Sequence, residues 1–367
     1  MSIFEKLSEK GHEQIVFCND PDSGLKAIIA IHDTNIGPAL GGCRMWNYKS
    51  EKDALRDVLR LSRGMSYKAA VAGLNLGGGK SVIIGDAKKD KSELLFRSFG
   101  RFVEGLAGRY ITAEDVGTSV KDMEWVRMET QYVTGISRAL GGSGDPSPVT
   151  AFGTYMGMKA AVKYKLGLDN LSGLKVSVQG VGHVGYYICK HLYEEGAEIF
   201  ATDIDQDTIQ KVVNEFGVKE VDVDDIYGLD VDIYAPCALG ATINDDTIPK
   251  LKAVIIAGAA NNQLESESKH GQAIRKSGIL YAPDYAINAG GLINVANEME
   301  RYNRERAFMQ AEGIYDTLMT IFSLADKEDV PTNVAADQVA TQRVESLSKL
   351  KSIYLTRKNP MIKRDTW

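Results

Sequence analysis

"KVSVQGVGHVGYY", Lys175 to Tyr187, decides how the rest of the chain is read. Its first five residues are valine-rich and alternate, as a short strand does. Gly180, Gly182 and Gly185 then spell G-x-G-x-x-G, and Ile188 and Leu192 follow on one helical face. The first glycine permits a tight turn, the second lets the backbone approach a pyrophosphate, and the third brings helix and strand together. The next apolar run, "EIFATDID" (198–205), ends in Asp203, about twenty residues on, where a carboxylate can accept hydrogen bonds from ribose hydroxyls. A strand, a glycine turn, a helix and an acidic strand end in this order predict a dinucleotide cradle with the phosphates at the helix N-terminus. Its members are Gly180, Val181, Gly182, His183, Val184, Gly185, Tyr186 and Asp203, with His183 itself read as a helix-start residue. Ile204 and Asp205 follow Asp203, so no arginine waits for a 2′-phosphate, and NAD is expected over NADP.

Working outward, short apolar strands keep alternating with helices: "VDIYAPC" (231–237), "AVIIAGAA" (253–260) and "GILYAPD" (278–284). That rhythm predicts a doubly wound parallel sheet. A long helical stretch (291–327) leads to a last helix, "QVATQRVESLSKLKSIYL" (338–355). Upstream, "GGSGDPSP" (141–148) is the expected hinge, with Thr150 capping a helix over 151–165. The N-terminal part mixes strands and helices: "LKAIIAIHD" (25–33) reads as a strand, and Ser50 with Asp53 as the capping box of a helix. The fold class expected is α/β with two domains: an N-terminal α/β domain over 1–140, with 335–367 packing back on it, and a Rossmann-type domain over 141–334.

Composition narrows the function. At 367 residues the chain is too long for one ordinary core. Hydrophobic content of 44% and charged content of 25% describe a globular protein, and a net charge of −6 argues against general affinity for nucleic acid or anionic membrane. The N-terminus lacks a signal-like apolar stretch, and no apolar run is long enough to span a bilayer. Four scattered cysteines without C-x-x-C suit reduced thiols in the cytoplasm, and five histidines without H-E-x-x-H predict no protein metal site.

A second glycine run, "LNLGGGKSVIIGD" (74–86), imitates a P-loop and fails the register. The motif needs glycine five residues before Gly79, where Leu74 stands, and a β-branched strand rather than a helix follows Lys80. Lys68 and Lys80 lie twelve residues apart, each expected to begin a strand beside a glycine loop. Either these are two solvated lysines, as most are, or two ammonium groups brought into one cleft favour loss of a proton from one of them, which can then serve as a base. In "RYITAED" (109–115), alternation puts Ile111, Ala113 and Asp115 on one face. Asp115 at the strand end is either a catalytic carboxylate or a turn former before Val116-Gly117.

At these residues the chain resembles the glutamate/leucine/phenylalanine/valine amino acid dehydrogenase family. The resemblance is carried by "GPALGGCRMW" (37–46), "MSYKAAVAGLNLGGGKSVIIGD" (65–86), "RYITAEDVGT" (109–118), "PSPVTAFG" (146–153), the nucleotide fingerprint, "PCALGA" (236–241), "AGAANNQL" (257–264) and "PDYAINAGGLINVA" (283–296). Together these stretches run in order to about residue 345. The resemblance implies reversible oxidative deamination of an L-amino acid to a 2-oxo acid, ammonia and NADH. It implies that Lys68 grips the substrate carboxylate, that Lys80 is the base activating water, and that Asp115 exchanges protons with the amine. It places Thr150, Ala238, Asn261 and Asn288 around the nicotinamide and its ribose, leaving open which of Asn261 and Asn262 points inward. It further implies a homo-oligomer, often an octamer, and a cleft between the domains.

The same resemblance bears on the substrate. Glutamate-specific members carry lysine where this chain has Leu40, before Gly41 and Gly42. A charged substrate side chain would be buried there without a partner, at a cost of several kcal/mol. Leucine-type members line the pocket with residues like Leu40, Ala113, Leu292 and Val295, a set suited to a branched aliphatic chain. Leu292 departs from the valine common in close relatives, and one methylene discriminates by only about 1–3 kcal/mol, so leucine, isoleucine and valine are all expected substrates. Alternatives are phenylalanine or valine specificity within the family, or an NAD-binding sensor without catalysis, against which Lys68, Lys80 and Asp115 argue. The final helix shows Val344, Leu347, Leu350 and Tyr354 at helical spacing, and the basic tail "TRKNPMIKRDTW" (356–367), beyond the resemblance, reads as a solvated end.

Overall fold

Nine residues, "LKAIIAIHD", show how the first domain is built. In a computed structural model of the chain, which describes residues 3–349, they form β2 (Leu25–Asp33) over the whole expected span. Period two sends Ile29 and Ile31 to one face, against Phe96 and Phe99, and Ile28 and Ala30 to the other, against Ala54 and Val58. The strand is therefore apolar on both sides because helices cover both sides of its sheet.

In chain order this unit contains α1 (Ile3–Lys10), β1 (Gln14–Asp20), β2, β3 (Ala39–Trp46), α2 (Glu51–Val71), β4 (Gly77–Ile84), α3 (Glu93–Glu104), β5 (Tyr110–Glu114) and α4 (Val120–Arg127). The sheet order is β1-β2-β4-β3-β5; β3 runs parallel to both β4 and β5, and β2 is antiparallel to β4. Ser50 caps α2 as expected, its side chain accepting from the Asp53 N–H.

Two local expectations fail. Lys68 lies in the last turn of α2, not on a strand, because the buried stripe of that helix continues through Ala69, Ala70 and Val71. The three glycines are not a loop but the first residues of β4. Neighbouring atoms already fill the space a side chain would take: a Cβ on Gly77 would lie 1.8 Å from Asp33 O, on Gly78 2.1 Å from Ser66 N, and on Gly79 2.6 Å from the Tyr110 ring. Only glycine lets β4 sit this close to β2, α2 and β5.

The second unit contains α5 (Ser147–Leu166), β6 (Lys175–Gln179), α6 (His183–Glu195), β7 (Glu198–Thr202), α7 (Gln206–Phe216), β8 (Lys219–Glu220), β9 (Ile233–Pro236), β10 (Ile255–Ile256), α8 (Glu267–Lys276), β11 (Leu280–Tyr281) and α9 (Asp284–Ile287). Its six strands are all parallel, in the order β11-β10-β9-β6-β7-β8. The chain walks from β6 to β8 on one side, then returns for β9 to β11 on the other. This is the doubly wound sheet expected, with its switch point between β6 and β9. Thr150 does not cap α5; it sits one turn inside, its hydroxyl donating to Pro146 O at 2.9 Å.

The expected single helical stretch over 291–327 is broken into α10 (Gly290–Ala296), a 3-10 turn (Asn297–Glu300), α11 (Arg304–Glu312) and α12 (Ile314–Lys327), with Arg301 at φ +62°. The same break moves the domain boundaries. The first unit extends to Gly144 and takes back Val295–Asn303 and the chain from Ala340, rather than 1–140 plus 335–367. The second is Asp145–Asn294 and Arg304–Val339, rather than 141–334. Glu298 accounts for much of this: its carboxylate accepts from the Gly135 N–H at 3.1 Å, the Ser143 N–H at 2.8 Å and the Ser143 hydroxyl at 2.5 Å. Burial pushes the Glu298 carboxyl above its usual range against these bonds. The last helix, α13 (Thr332–Ser348), carries Arg343, which donates to Gly73 O at 2.9 Å and Asn75 Oδ1 at 3.1 Å. Val344 and Leu347 are partly buried; Leu350, Tyr354 and the basic tail lie outside the described residues. Among the described residues no helix is long and apolar enough to cross a membrane.

Candidate active site

Parallel pairing of β3 with β4 and β5 brings the predicted chemistry of the first unit together. Leu40 pairs with Gly78 on one side and Ile111 on the other, and Gly42 pairs with Ala113. Asp115 follows the end of β5, and its Oδ2 lies 3.1 Å from Lys80 Nζ, whose side chain is only 6% exposed. Gly41 and Gly42 have a packing reason for being glycine. A Cβ on Gly41 would lie 1.7 Å from Gly79 O, and one on Gly42 2.8 Å from Asp115 Cβ. The absent side chains let Asp115 lean over β3 toward Lys80.

A third charged residue completes this cluster. Arg44 Nε donates to the same Asp115 Oδ2 at 3.0 Å, and Arg44 Nη1 donates to Asp57 Oδ2 at 2.9 Å. Tyr48 donates its hydroxyl to Asp57 Oδ2 at 2.7 Å, and Arg60 donates to Oδ1 at 3.1 Å. Sequence reasoning missed Arg44 although the signal was present: alternation from Leu40 and Gly42 puts position 44 on the same face. Burial alone would raise the Asp115 carboxyl, but the charges of Lys80 and Arg44 outweigh it and hold the group below its usual range. Asp57 is likewise held low, burial being outweighed by Tyr48, Arg44 and Arg60. Cys43 points to the other face, where burial pushes its thiol up to about 12 and keeps it neutral.

The remaining expected substrate residues are distributed. Lys68 is partly buried in α2; Leu40 and Ala113 are buried at 1% and 7% exposure; Val295 is partly buried at the end of α10. Leu292, also on α10, belongs to the second unit and is buried.

In the second unit the expected cradle residues lie at strand ends. Gly180 adopts φ +95°, a left-handed conformation open to glycine, and a Cβ there would meet Ala238 at 2.5 Å. A Cβ on Gly185 would lie 2.1 Å from Gly180 O, so helix and turn are in close contact. Gly182 differs: nothing lies within 4 Å of its Cβ position, and it begins α6 with no side chain capping the helix. Open space beside uncapped helix amides is the arrangement a phosphate requires. Asp203 Oδ2 accepts from the Val181 N–H at 2.8 Å, which ties the acidic strand end to the turn. Val181 is buried, His183 is exposed at the start of α6, and Val184 is partly buried. The Tyr186 side chain is engaged elsewhere, donating to Glu215 at 2.5 Å with Lys211 over its ring.

The residues expected beside the nicotinamide cluster in part. Asn288 Nδ2 donates to Asn261 Oδ1 at 2.7 Å, so Asn261 shares this polar pair. Thr150 lies beside the glycines that open α10: a Cβ on Gly291 would meet Thr150 Oγ1 at 2.9 Å.

A mixed α/β unit with paired basic and acidic side chains, followed by a doubly wound unit with a dinucleotide fingerprint, defines a nicotinamide-dependent dehydrogenase architecture. The family model "Glu/Leu/Phe/Val dehydrogenase, dimerisation domain" matches residues 12–132, and "Glutamate/Leucine/Phenylalanine/Valine dehydrogenase" matches 141–209 and 200–351. The chain belongs to this family. Among its relatives it is 58% identical to leucine dehydrogenase of Bacillus cereus over 364 residues, 99% of each chain. It is equally identical, over the same span, to leucine dehydrogenase of Geobacillus stearothermophilus. The crystal structure of L-tryptophan dehydrogenase from Nostoc punctiforme superposes with a TM-score of 0.86 at 49% identity, covering 95% of this chain and 100% of that one.

Proposed function

We propose that this enzyme catalyses reversible, NAD-dependent oxidative deamination of branched-chain L-amino acids, with leucine, isoleucine and valine all accepted. The observation that carries this reading is the near-full-length identity to leucine dehydrogenases. The products are the 2-oxo acid, ammonia and NADH.

The second unit fits the cofactor. Gly180 to Gly185 and the α6 N-terminus would hold the pyrophosphate in the space beside Gly182, and Asp203 the adenosine ribose. Thr150, Ala238, Asn261 and Asn288 would border the nicotinamide end. Bound NAD supplies the hydride acceptor for the substrate Cα.

The protein's own residues do the rest. Lys68 holds the α-carboxylate as an ion pair and so fixes the Cα. Asp115 takes a proton from the substrate ammonium, giving the amine that can lose hydride. Lys80, in its neutral form, takes a proton from the water that attacks the resulting imine carbon. Asp115 then returns its proton to the departing nitrogen, and the carbinol collapses to the 2-oxo acid and ammonia as its hydroxyl proton passes back to the ionised Asp115. By family resemblance Leu40, Ala113 and Val295 of the first unit would receive the substrate side chain, where Leu40 in place of lysine removes the partner a glutamate side chain would need.

The enzyme is an oligomer, as the dimerisation-domain match indicates. We place the assembly at eight copies by family resemblance, and the protein in the cytoplasm, where its four cysteines would stay as the free thiols the structure shows. The test is the initial rate of NADH formation with L-leucine, L-isoleucine, L-valine and L-glutamate. Comparable rates on the three aliphatic substrates with little on glutamate are expected; comparable turnover of glutamate would overturn the pocket assignment.

A further inference from the structure

Asp115 Oδ2 has two cationic partners, Lys80 at 3.1 Å and Arg44 at 3.0 Å. The two differ in what they can do. A guanidinium stays charged throughout, whereas a lysine can give up its proton. Arg44 is also fixed from behind: its Nη1 is held by Asp57 at 2.9 Å, and Asp57 by Tyr48 and Arg60. Arg44, Asp57 and Asp115 are all partly shielded, with side chains 20%, 17% and 22% exposed, so these charges act through less water than surface pairs do.

We propose that Arg44 is a positioning residue for the Lys80–Asp115 pair: a permanent counter-charge that keeps Asp115 ionised and in place while Lys80 is neutral. This rests on the reading of Lys80 and Asp115 given above. Before the substrate ammonium gives up its proton, Asp115 is ionised, and if Lys80 already stands neutral for its later step Asp115 has lost one of its two cations. Without Arg44 the partly buried carboxylate would then have no protein counter-charge in contact, a state that burial disfavours. The pair would avoid it by retaining its proton. Arg44 removes that obstacle and spares the carboxylate from binding Lys80 alone. The other ionisable groups near Asp115 do not substitute. Cys43 and Tyr110 are kept neutral by burial, and Tyr48 is raised by burial and by Asp57, to which it donates.

The test is the pH dependence of kcat/KM for L-leucine in the wild type, Arg44→Gln, Arg44→Lys and Asp57→Asn, with Lys80→Ala and Asp115→Asn alongside. In Arg44→Gln the acid limb of the profile moves up by about one pH unit, and kcat at neutral pH falls at least tenfold while KM for leucine changes little. Arg44→Lys restores part of the shift, since it returns a charge without the fork geometry, and Asp57→Asn shows a smaller shift of the same sign. Thermal melting and NAD binding separate these effects from misfolding; a variant that fails to fold is replaced in the argument by Asp57→Asn. An unmoved acid limb in folded Arg44→Gln, with Lys80→Ala inactive, overturns this proposal alone. Substantial activity in Lys80→Ala overturns the underlying reading as well.

Discussion

Replacing Gly78 by alanine tests whether the glycine run at the head of β4 exists to set the distance between α2 and β4. A Cβ built on Gly78 falls 2.1 Å from Ser66 N, 2.3 Å from Ser66 Oγ and 2.5 Å from Ser62 O. Carbon needs about 3.5 Å from such atoms, so α2 must back away by roughly 1 Å. Ser66 N and Ser62 O are helix backbone atoms and cannot rotate aside. Overpacking of this kind costs about 1–3 kcal/mol, which for a unit of this size lowers Tm by several degrees. The chemical effect follows from the position of Lys68 in the last turn of the same helix. A displacement of about 1 Å in a residue that positions substrate can cost roughly a hundredfold in rate. Steady-state kinetics with L-leucine, together with a melting curve, should show a raised KM for leucine, a lowered kcat and an unchanged KM for NAD, since the cradle is in the other unit. Wild-type kinetics and wild-type Tm in Gly78→Ala would refute the account of why β4 opens on glycines.

Three further outcomes are expected. Gly182→Val should fold normally, because nothing lies within 4 Å of that Cβ position, yet lose NAD binding by titration calorimetry at least tenfold; retained affinity would mean the phosphate lies elsewhere. Asp57 is held ionised below its usual range in the folded state, so it contributes stability above the ordinary carboxylate range that is lost as pH falls through its folded value. Asp57→Asn should therefore be destabilised by about 1–3 kcal/mol at pH 7, with the gap to wild type closing in strongly acid solution, and a gap independent of pH would contradict this. Leu40→Lys should cut kcat/KM for leucine at least tenfold and raise the glutamate-to-leucine ratio, and an unchanged ratio would remove Leu40 from the substrate pocket.

Much of the fold was legible because its signals are local. The isoleucine-rich apolar run in Leu25–Asp33 and the glycine turn at Gly180 each determine backbone geometry within a few residues, and both elements fall where the sequence places them. Lys68 was misassigned because "YKAAVAG" has no turn signal before it; its small apolar residues suit a strand or a buried helix end equally. Gly77 to Gly79 were read as a loop for the opposite reason, since glycine usually marks one. What makes them a strand is the backbone of α2 and the ring of Tyr110, and neither is adjacent in sequence. The interruption at 297–303 depends on Glu298 finding the amides of Gly135 and Ser143, about 160 residues away. The candidate site divides in the same way. Lys80 and Asp115 were legible from residue type and strand position, whereas Arg44 becomes chemically significant only when β3 is known to lie between β4 and β5.

Under the proposed mechanism hydride leaves the Cα of a branched-chain amino acid for NAD at a site where Lys80 is the base. L-leucine deuterated at Cα puts this to the test through the fate of its label. Deuterium is expected in the NADH formed, with 2-oxo acid and ammonia in equal amounts, and in Lys80→Ala no turnover beyond a first hydride transfer. Leucine consumption without deuterium in NADH, or undiminished turnover by Lys80→Ala, would contradict it.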